Sequence, residues 1–312
     1  MRIKLGAGFS SQRTDWPALR GAAIAAERAG IDSLWTWDHL LSDEGPPDQP
    51  ILEGWTILAA WAAITRHATL GLLVGANTFR NPGLTAKLAT TLDHVSNGRA
   101  VLGLGGGWLE REHEAFGIDF GSGFGERLDL LDEETMLIRR LLSAERVTPQ
   151  GRFYAMRDAL VSPPPLQARL PILIGGRGRT KTLRTAATYA DAWNIWNELG
   201  SVELAIELTA LLDDHCRALG RDPTAIERSF SQEGIIRDDR EEARRLFESR
   251  YRGHGLDPEA GVFALCGPPT FVAEALRPLV EAGFGHVIWA FRTPYDMETL
   301  ERLGEVRALL ES

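Results

Sequence analysis

Eight times along this chain a short apolar run gives way to a longer stretch with apolar residues at helical spacing, and that alternation constrains the fold more than any other feature. "RIKLGAGF" reads as a strand, a helical pattern follows from Trp16 to Ala29, Gly30 closes it, and "SLWTW" opens the next unit. "GWTILAAWAAITR", "ATLGLLVG", "PGLTAKLATTLDHVS" and "RAVLGLG" repeat the pattern, with proline in the first turn of the second helix. "ERLDLLDEETMLIRRLL", "PILIGG", "TKTLRTAATYA", "DAWNIW" and "VELAIELTALLDDHCRAL" carry it on. "IERSFSQEGI", a helix from Asp238, "PTFVAEALRPLVEAG", "HVIWAF" and a helix from Asp296 to Leu310 end it. Such alternation implies a parallel sheet covered by helices. Eight units without a pause favour an α/β protein of the (β/α)8 TIM-barrel class, with residues 1–312 as a single domain. Two segments exceed the repeat: 106–125 together with a hairpin-like stretch from 151, and 251–269. Both are expected as insertions at the C-terminal rim, where barrels build their sites.

A net charge of −9 and the absence of any Lys/Arg run argue against a nucleic-acid surface and for a small-molecule substrate. The two cysteines, Cys216 and Cys266, lie far apart without metal-ligand spacing, so no metal is expected. The start is not signal-like, and no apolar run reaches about 18 residues, the length a membrane span needs. The expectation is a soluble, cytoplasmic protein that touches no membrane.

Four stretches carry chemistry. "PILIGGRGRT" runs a buried strand into Gly175, Gly176, Arg177, Gly178, Arg179 and Thr180; glycine-rich strand-to-helix turns bring backbone N–H groups to an anion, so a phosphate is the expected ligand. "LGLGGGW" fails as a dinucleotide fingerprint, because Trp108 and Glu110 stand where the two possible frames need glycine. It is either a flexible strand end or a place where backbone approaches a flat ring. "WTWDHLL" sets Asp38 and His39 just past a strand, as an acid/base pair at the mouth or a buried structural pair. "EREHE" at 110–114 lacks metalloenzyme spacing and reads as a solvated helix face.

With "VGANTFRNPGLTAKLATTLDHVSNGR" added, these ordered motifs resemble the bacterial luciferase-like oxidoreductase family over residues 1 to about 200, and within it the branch that uses the deazaflavin coenzyme F-420 rather than reduced FMN. The resemblance implies a barrel with the cofactor at its C-terminal rim, hydride transfer between F-420 and a small organic substrate, and a homodimer. An FMNH2-dependent monooxygenase is the alternative, and a non-catalytic flavin or deazaflavin carrier is a further one. It also implies roles: His39 as the proton-handling catalytic residue, Asp38 beside the ring, and Asn77 and Thr78 on the ring after strand three. A non-proline cis peptide is implied at Gly75–Ala76 or one bond earlier. Gly106 and Gly107 would pass along the cofactor, and Gly175 to Thr180 would hold its phosphate.

The chain departs from the sugar-phosphate dehydrogenases of that branch. Trp108 stands where they carry a glutamate proton donor, and Leu41, Ser42, Asp43 and Glu44 offer no tryptophan after the histidine. An apolar substrate pocket from Trp37, Trp55, Phe79, Trp108 and Trp196 follows as an expectation, although several of these aromatics suit a core equally well.

Overall fold

A computed structural model describes residues 2–46, 48–196, 202–261 and 264–312. Strand β1 (Lys4–Phe9) leads to α1 (Trp16–Arg28), where the Asp15 side chain accepts from the Ala18 amide at 2.9 Å and caps the first turn. Leu19, Ala22, Ala23 and Ala26 form the buried face of α1. Then follow β2 (Ser33–Thr36), α2 (Gly54–Ile64), β3 (Thr69–Leu72), β4 (Gly75–Ala76), α3 (Pro82–Ser96) and β5 (Leu102–Gly105). The chain continues through α4 (Glu110–Phe116), α5 (Phe124–Leu142), β6 (Ile172–Gly175), α6 (Lys181–Tyr189), β7 (Ala192–Trp196) and α7 (Val202–Ala218). It ends with β8 (Glu227–Gln232), β9 (Gly234–Ile236), α8 (Arg240–Gly253), β10 (Leu265–Gly267), α9 (Pro269–Glu281), β11 (His286–Phe291) and α10 (Met297–Glu311).

The main sheet is parallel in the order β3-β2-β1-β11-β8-β7-β6-β5-β4. Its two outer members, β3 and β4, are halves of one strand, so the sheet closes on itself as an eight-stranded barrel. The break between them holds the cis peptide, at Leu73–Val74, earlier than both bonds expected from the resemblance. The Leu73 amide still pairs with the Thr36 carbonyl at 2.9 Å, and from Gly75 the chain pairs with β5 instead. Glycines make room for this switch: a Cβ at Gly105 would sit 2.6 Å from Val74 Cγ2, and one at Gly175 would sit 2.8 Å from Val74 Cγ1.

A large apolar layer fills the space between strands and helices, and each fully buried leucine in it, such as Leu5 or Leu34, contributes about 1.5–3 kcal/mol. A smaller cluster of Trp35, Leu173, Ala192 and Ile288 forms a separate core, packed against Leu73, Val74 and Val101. At the N-terminal ends of the strands, Ser33 Oγ accepts from Trp35 Nε1 at 2.7 Å and lies 2.8 Å from His286 Nε2; His286 Nδ1 lies 2.8 Å from Glu227.

Both insertions exist. Antiparallel bridges Gln150–Ala155 and Val147–Ala159 form the expected hairpin. The second insertion begins earlier than expected: β9, α8 and β10 form a subunit of the fold that includes the helix from Asp238, while residues 262 and 263 of that stretch lie outside the described residues.

Candidate active site

The C-terminal end of β2 delivers Trp37, Asp38 and His39 to the rim. Asp38 is buried, accepts two parallel hydrogen bonds from Arg80 at 2.7 and 2.9 Å, and accepts a third from the Ala76 amide at 3.0 Å. Arg80 reaches on to Glu53 at 3.1 Å, the residue that caps α2. Asp38 therefore ties the rim of β2 to the rim of β4, and its carboxylate is fully engaged by protein groups.

His39 next to it is differently placed. Its Nδ1 lies 3.1 and 3.3 Å from the two carboxylate oxygens of Glu112 on α4, which also accepts from the Leu40 amide at 2.8 Å. The Trp108 ring meets the imidazole edge-on, with centroids 5.4 Å apart at 84°. Burial is the largest influence on His39 and opposes its charge, but the hydrogen bond and charge of Glu112, then Asp43 and Asp38, outweigh it and hold the pKa above the usual histidine value.

Glu112 corrects the sequence reading of "EREHE". Glu110 and Glu114 are exposed, yet Glu112 and His113 are 2% and 0% exposed. The seven-residue helix is wedged between two rims, so its inward side carries polar groups. His113 Nδ1 donates to the Leu109 carbonyl at 2.9 Å, and the Thr78 hydroxyl donates to Nε2 at 2.6 Å. Phe79 packs against the same imidazole at a tilt of 38°, 4.8 Å between centroids.

Asn77 extends the β4–β5 pairing through its amide, 3.1 Å from the Gly105 carbonyl. Its side-chain amide donates to the Arg127 carbonyl at 2.9 Å, and its buried Oδ1 has no partner among the described residues. Gly106 and Gly107 pass beside it; Gly107 has φ +63°, and a Cβ there would stand 3.1 Å from Thr78 Oγ1. Sequence positions 77–78 and 106–107 are thus brought together.

The glycine-rich turn after β6 divides in two. Gly175 faces Val74, while Gly176, at φ +125°, donates to the Asn194 carbonyl at 2.9 Å and accepts from Trp193 Nε1 at 2.8 Å. Gly175 is packed against Val74, and both backbone groups of Gly176 are taken up by β7. Beyond them the amides of Gly178, Arg179 and Thr180 make no hydrogen bond among the described residues, and α6 starts without a side-chain cap. Amides left open at a helix start are of the kind that can receive an anion. The nearby charges are committed elsewhere: Arg179 pairs with Glu207 on α7, and Lys181 pairs with Asp129 at 2.5 Å and the Gly125 carbonyl at 2.8 Å. Arg177 is exposed.

The five aromatics separate. Trp55 belongs to the buried face of α2 and is core; Phe79 is taken up by His113; Trp37 and Trp196 stand at strand ends and Trp108 in the turn between β5 and α4, 61% exposed. Sequence reasoning also missed a rim cluster. Arg292, just past β11, pairs with Glu44 and lies 3.3 Å from Glu233. Its guanidinium sits 5.7 Å from the Trp37 ring and 5.3 Å from that of Tyr251. Burial pulls its pKa down to about 10, with Asp43 opposing. His254, capping α8, meets Glu44 at 2.8 Å and docks the second insertion to the rim.

Among the described residues no group of three or more His, Cys, Asp or Glu could hold a metal ion, and no helix is long and apolar enough to cross a membrane. A profile of the family described as luciferase-like monooxygenase matches residues 2–286. The chain belongs to that family. Among luciferase-like relatives, an F420-dependent glucose-6-phosphate dehydrogenase of Kineococcus radiotolerans is 30% identical over 318 residues, 92% of this chain and 90% of that protein. The pyrimidine monooxygenase RutA of Methylorubrum extorquens is 31% identical over 241 residues, 76% of this chain and 64% of that one. An F420-dependent secondary alcohol dehydrogenase in complex with an F420-acetone adduct superposes over both whole chains with TM-score 0.81 at 20% identity, a likeness of fold. The protein is therefore a luciferase-like (β/α)8 oxidoreductase, of a family whose members use F-420 or flavin.

Proposed function

We propose that this enzyme transfers hydride between coenzyme F-420 and a small organic substrate at the barrel mouth. The observation that carries the reading is the placement of His39 at the rim, held on one nitrogen by Glu112 and shielded on one edge by Trp108. The F420-dependent relative that spans 92% of the chain favours the deazaflavin over FMN. FMNH2-dependent monooxygenation is the second reading, supported by the RutA likeness.

The residues present fit a deazaflavin or flavin. Asn77 Oδ1, a buried acceptor without a partner among the described residues, suits an imide N–H. The amides of Gly178, Arg179 and Thr180 suit a phosphate, and Gly106 and Gly107 leave the backbone bare along the path between. When bound, the deazaflavin supplies a carbon that carries hydride and does not activate oxygen as reduced flavin does. Each hydride delivered to a carbonyl carbon requires one proton at the oxygen, and His39 gives it; in the reverse direction His39 takes it. Asp38 and Arg80 keep the two rims in register, and Trp37, Trp108 and Trp196 offer apolar surface to substrate. A cytoplasmic homodimer is the setting attached to this reading.

Turnover tests it. Reduced F-420 mixed anaerobically with the protein and a panel of ketones and aldehydes should be oxidised in a substrate-dependent way. Substrate-dependent oxygen uptake with FMNH2, and none of the F-420 reaction, would replace hydride transfer by monooxygenation.

A further inference from the structure

The carboxylate of Glu112 is 2% exposed and collects three N–H groups: His39 Nδ1 at 3.1 Å, the Leu40 amide at 2.8 Å and the Leu41 amide at 3.4 Å. A carboxylate serving two backbone amides is an acceptor, so the imidazole nitrogen facing it must be the one that bears hydrogen. The other nitrogen, Nε2, has no partner among the described residues and is not a buried orphan. Trp108 covers one edge of the ring without offering a hydrogen bond to it.

We propose that Glu112 is a positioning residue that fixes His39 in its Nδ1–H form and leaves Nε2 as the atom through which His39 exchanges a proton with substrate. The assignment of substrate as the partner of Nε2 rests on the oxidoreductase reading above; the tautomer does not. The other charged groups facing His39 are already engaged: Asp38 by Arg80, and Asp43 by the Gln12 side chain. Removing Glu112 therefore removes the partner that determines both the tautomer and the readiness to protonate.

The test is 15N NMR of histidine-labelled protein without cofactor, with the His39 signals assigned by their loss in His39→Asn. In the parent protein the neutral ring should show hydrogen on Nδ1. In Glu112→Gln, which keeps an acceptor for Leu40 and Leu41, the titration midpoint of His39 should fall by about one pH unit or more, as expected when an adjacent opposite charge is removed. In ketone reduction, where His39 gives the proton, the alkaline limb of kcat/KM should move down with it while the F-420 dissociation constant stays within threefold. Glu112→Asp should restore part of the shift. Hydrogen on Nε2 in the parent protein, a measurement that needs no variant, would overturn the proposal, as would an unmoved midpoint in a folded Glu112→Gln. If the midpoint moves but F-420 does not bind, the positioning role stands and the cofactor reading falls.

Discussion

Asp38 and Arg80 face each other through two parallel hydrogen bonds across the junction of β2 and β4, with side chains 1% and 14% exposed. Breaking such a pair from one side leaves a buried charge unpaired, which costs about 3–5 kcal/mol. Asp38→Asn should therefore lower unfolding free energy by about 3 kcal/mol, somewhat less than the upper value because Glu53 still reaches Arg80. Urea unfolding of the two proteins measures it. A loss below about 0.5 kcal/mol, the range of an ordinary surface substitution, would mean that the pair does not lock the rims.

His39→Ala should reduce turnover about 10²-fold or more, with little change in F-420 affinity, because the side chain is placed to handle a proton and not to hold the cofactor. Steady-state kinetics and a parallel binding titration read the two effects separately. Unchanged turnover would assign His39 to structure.

A Cβ at Gly178 would lie 2.5 Å from Thr182 Oγ1, so Gly178→Val must push the turn away from the start of α6. F-420 binding should weaken at least tenfold, about 1.4 kcal/mol, while far-ultraviolet circular dichroism stays that of the parent. Equal affinity would place the phosphate elsewhere.

At the opposite end of the barrel, burial works against the charge of Glu227, but His286 and Lys4 outweigh it and depress the pKa from 4.5 to about 2. A depressed carboxylate pKa contributes stability above the unfolded value, and that contribution is lost as pH falls. Stability should thus decline between pH 4.5 and 2 through this group, and Glu227→Gln should flatten that part of the curve. Thermal unfolding across the interval checks it; parallel curves for both proteins would exclude the role.

The barrel was legible because each strand is a short apolar run and each helix a separate amphipathic one, so local pattern and global closure agree. Asp38 and His39 were legible for the same reason, as polar residues just past a strand. Glu112 was not: in a helix of two turns, burial is decided by the β2 rim, 73 residues away in sequence, and local periodicity carries no trace of it. The rim cluster is more remote still, since Glu44 meets His254 and Arg292 across 210 and 248 residues. Glycines are ambiguous in a different way, because a bare backbone is needed equally for a ligand and for another stretch of chain, and at Gly105 and Gly175 a Cβ would meet Val74.

The most direct measurement is a paired fluorescence titration of the purified protein with F-420 and with FMN at low salt and at about 0.5 M salt, where exposed charges are largely screened. Because Arg179 and Lys181 are already paired with Glu207 and Asp129, the cofactor preference should come from the rim and the amide turn and not from surface charge. The account predicts that F-420 binds more tightly than FMN at both salt concentrations. Tighter binding of FMN at both would contradict it.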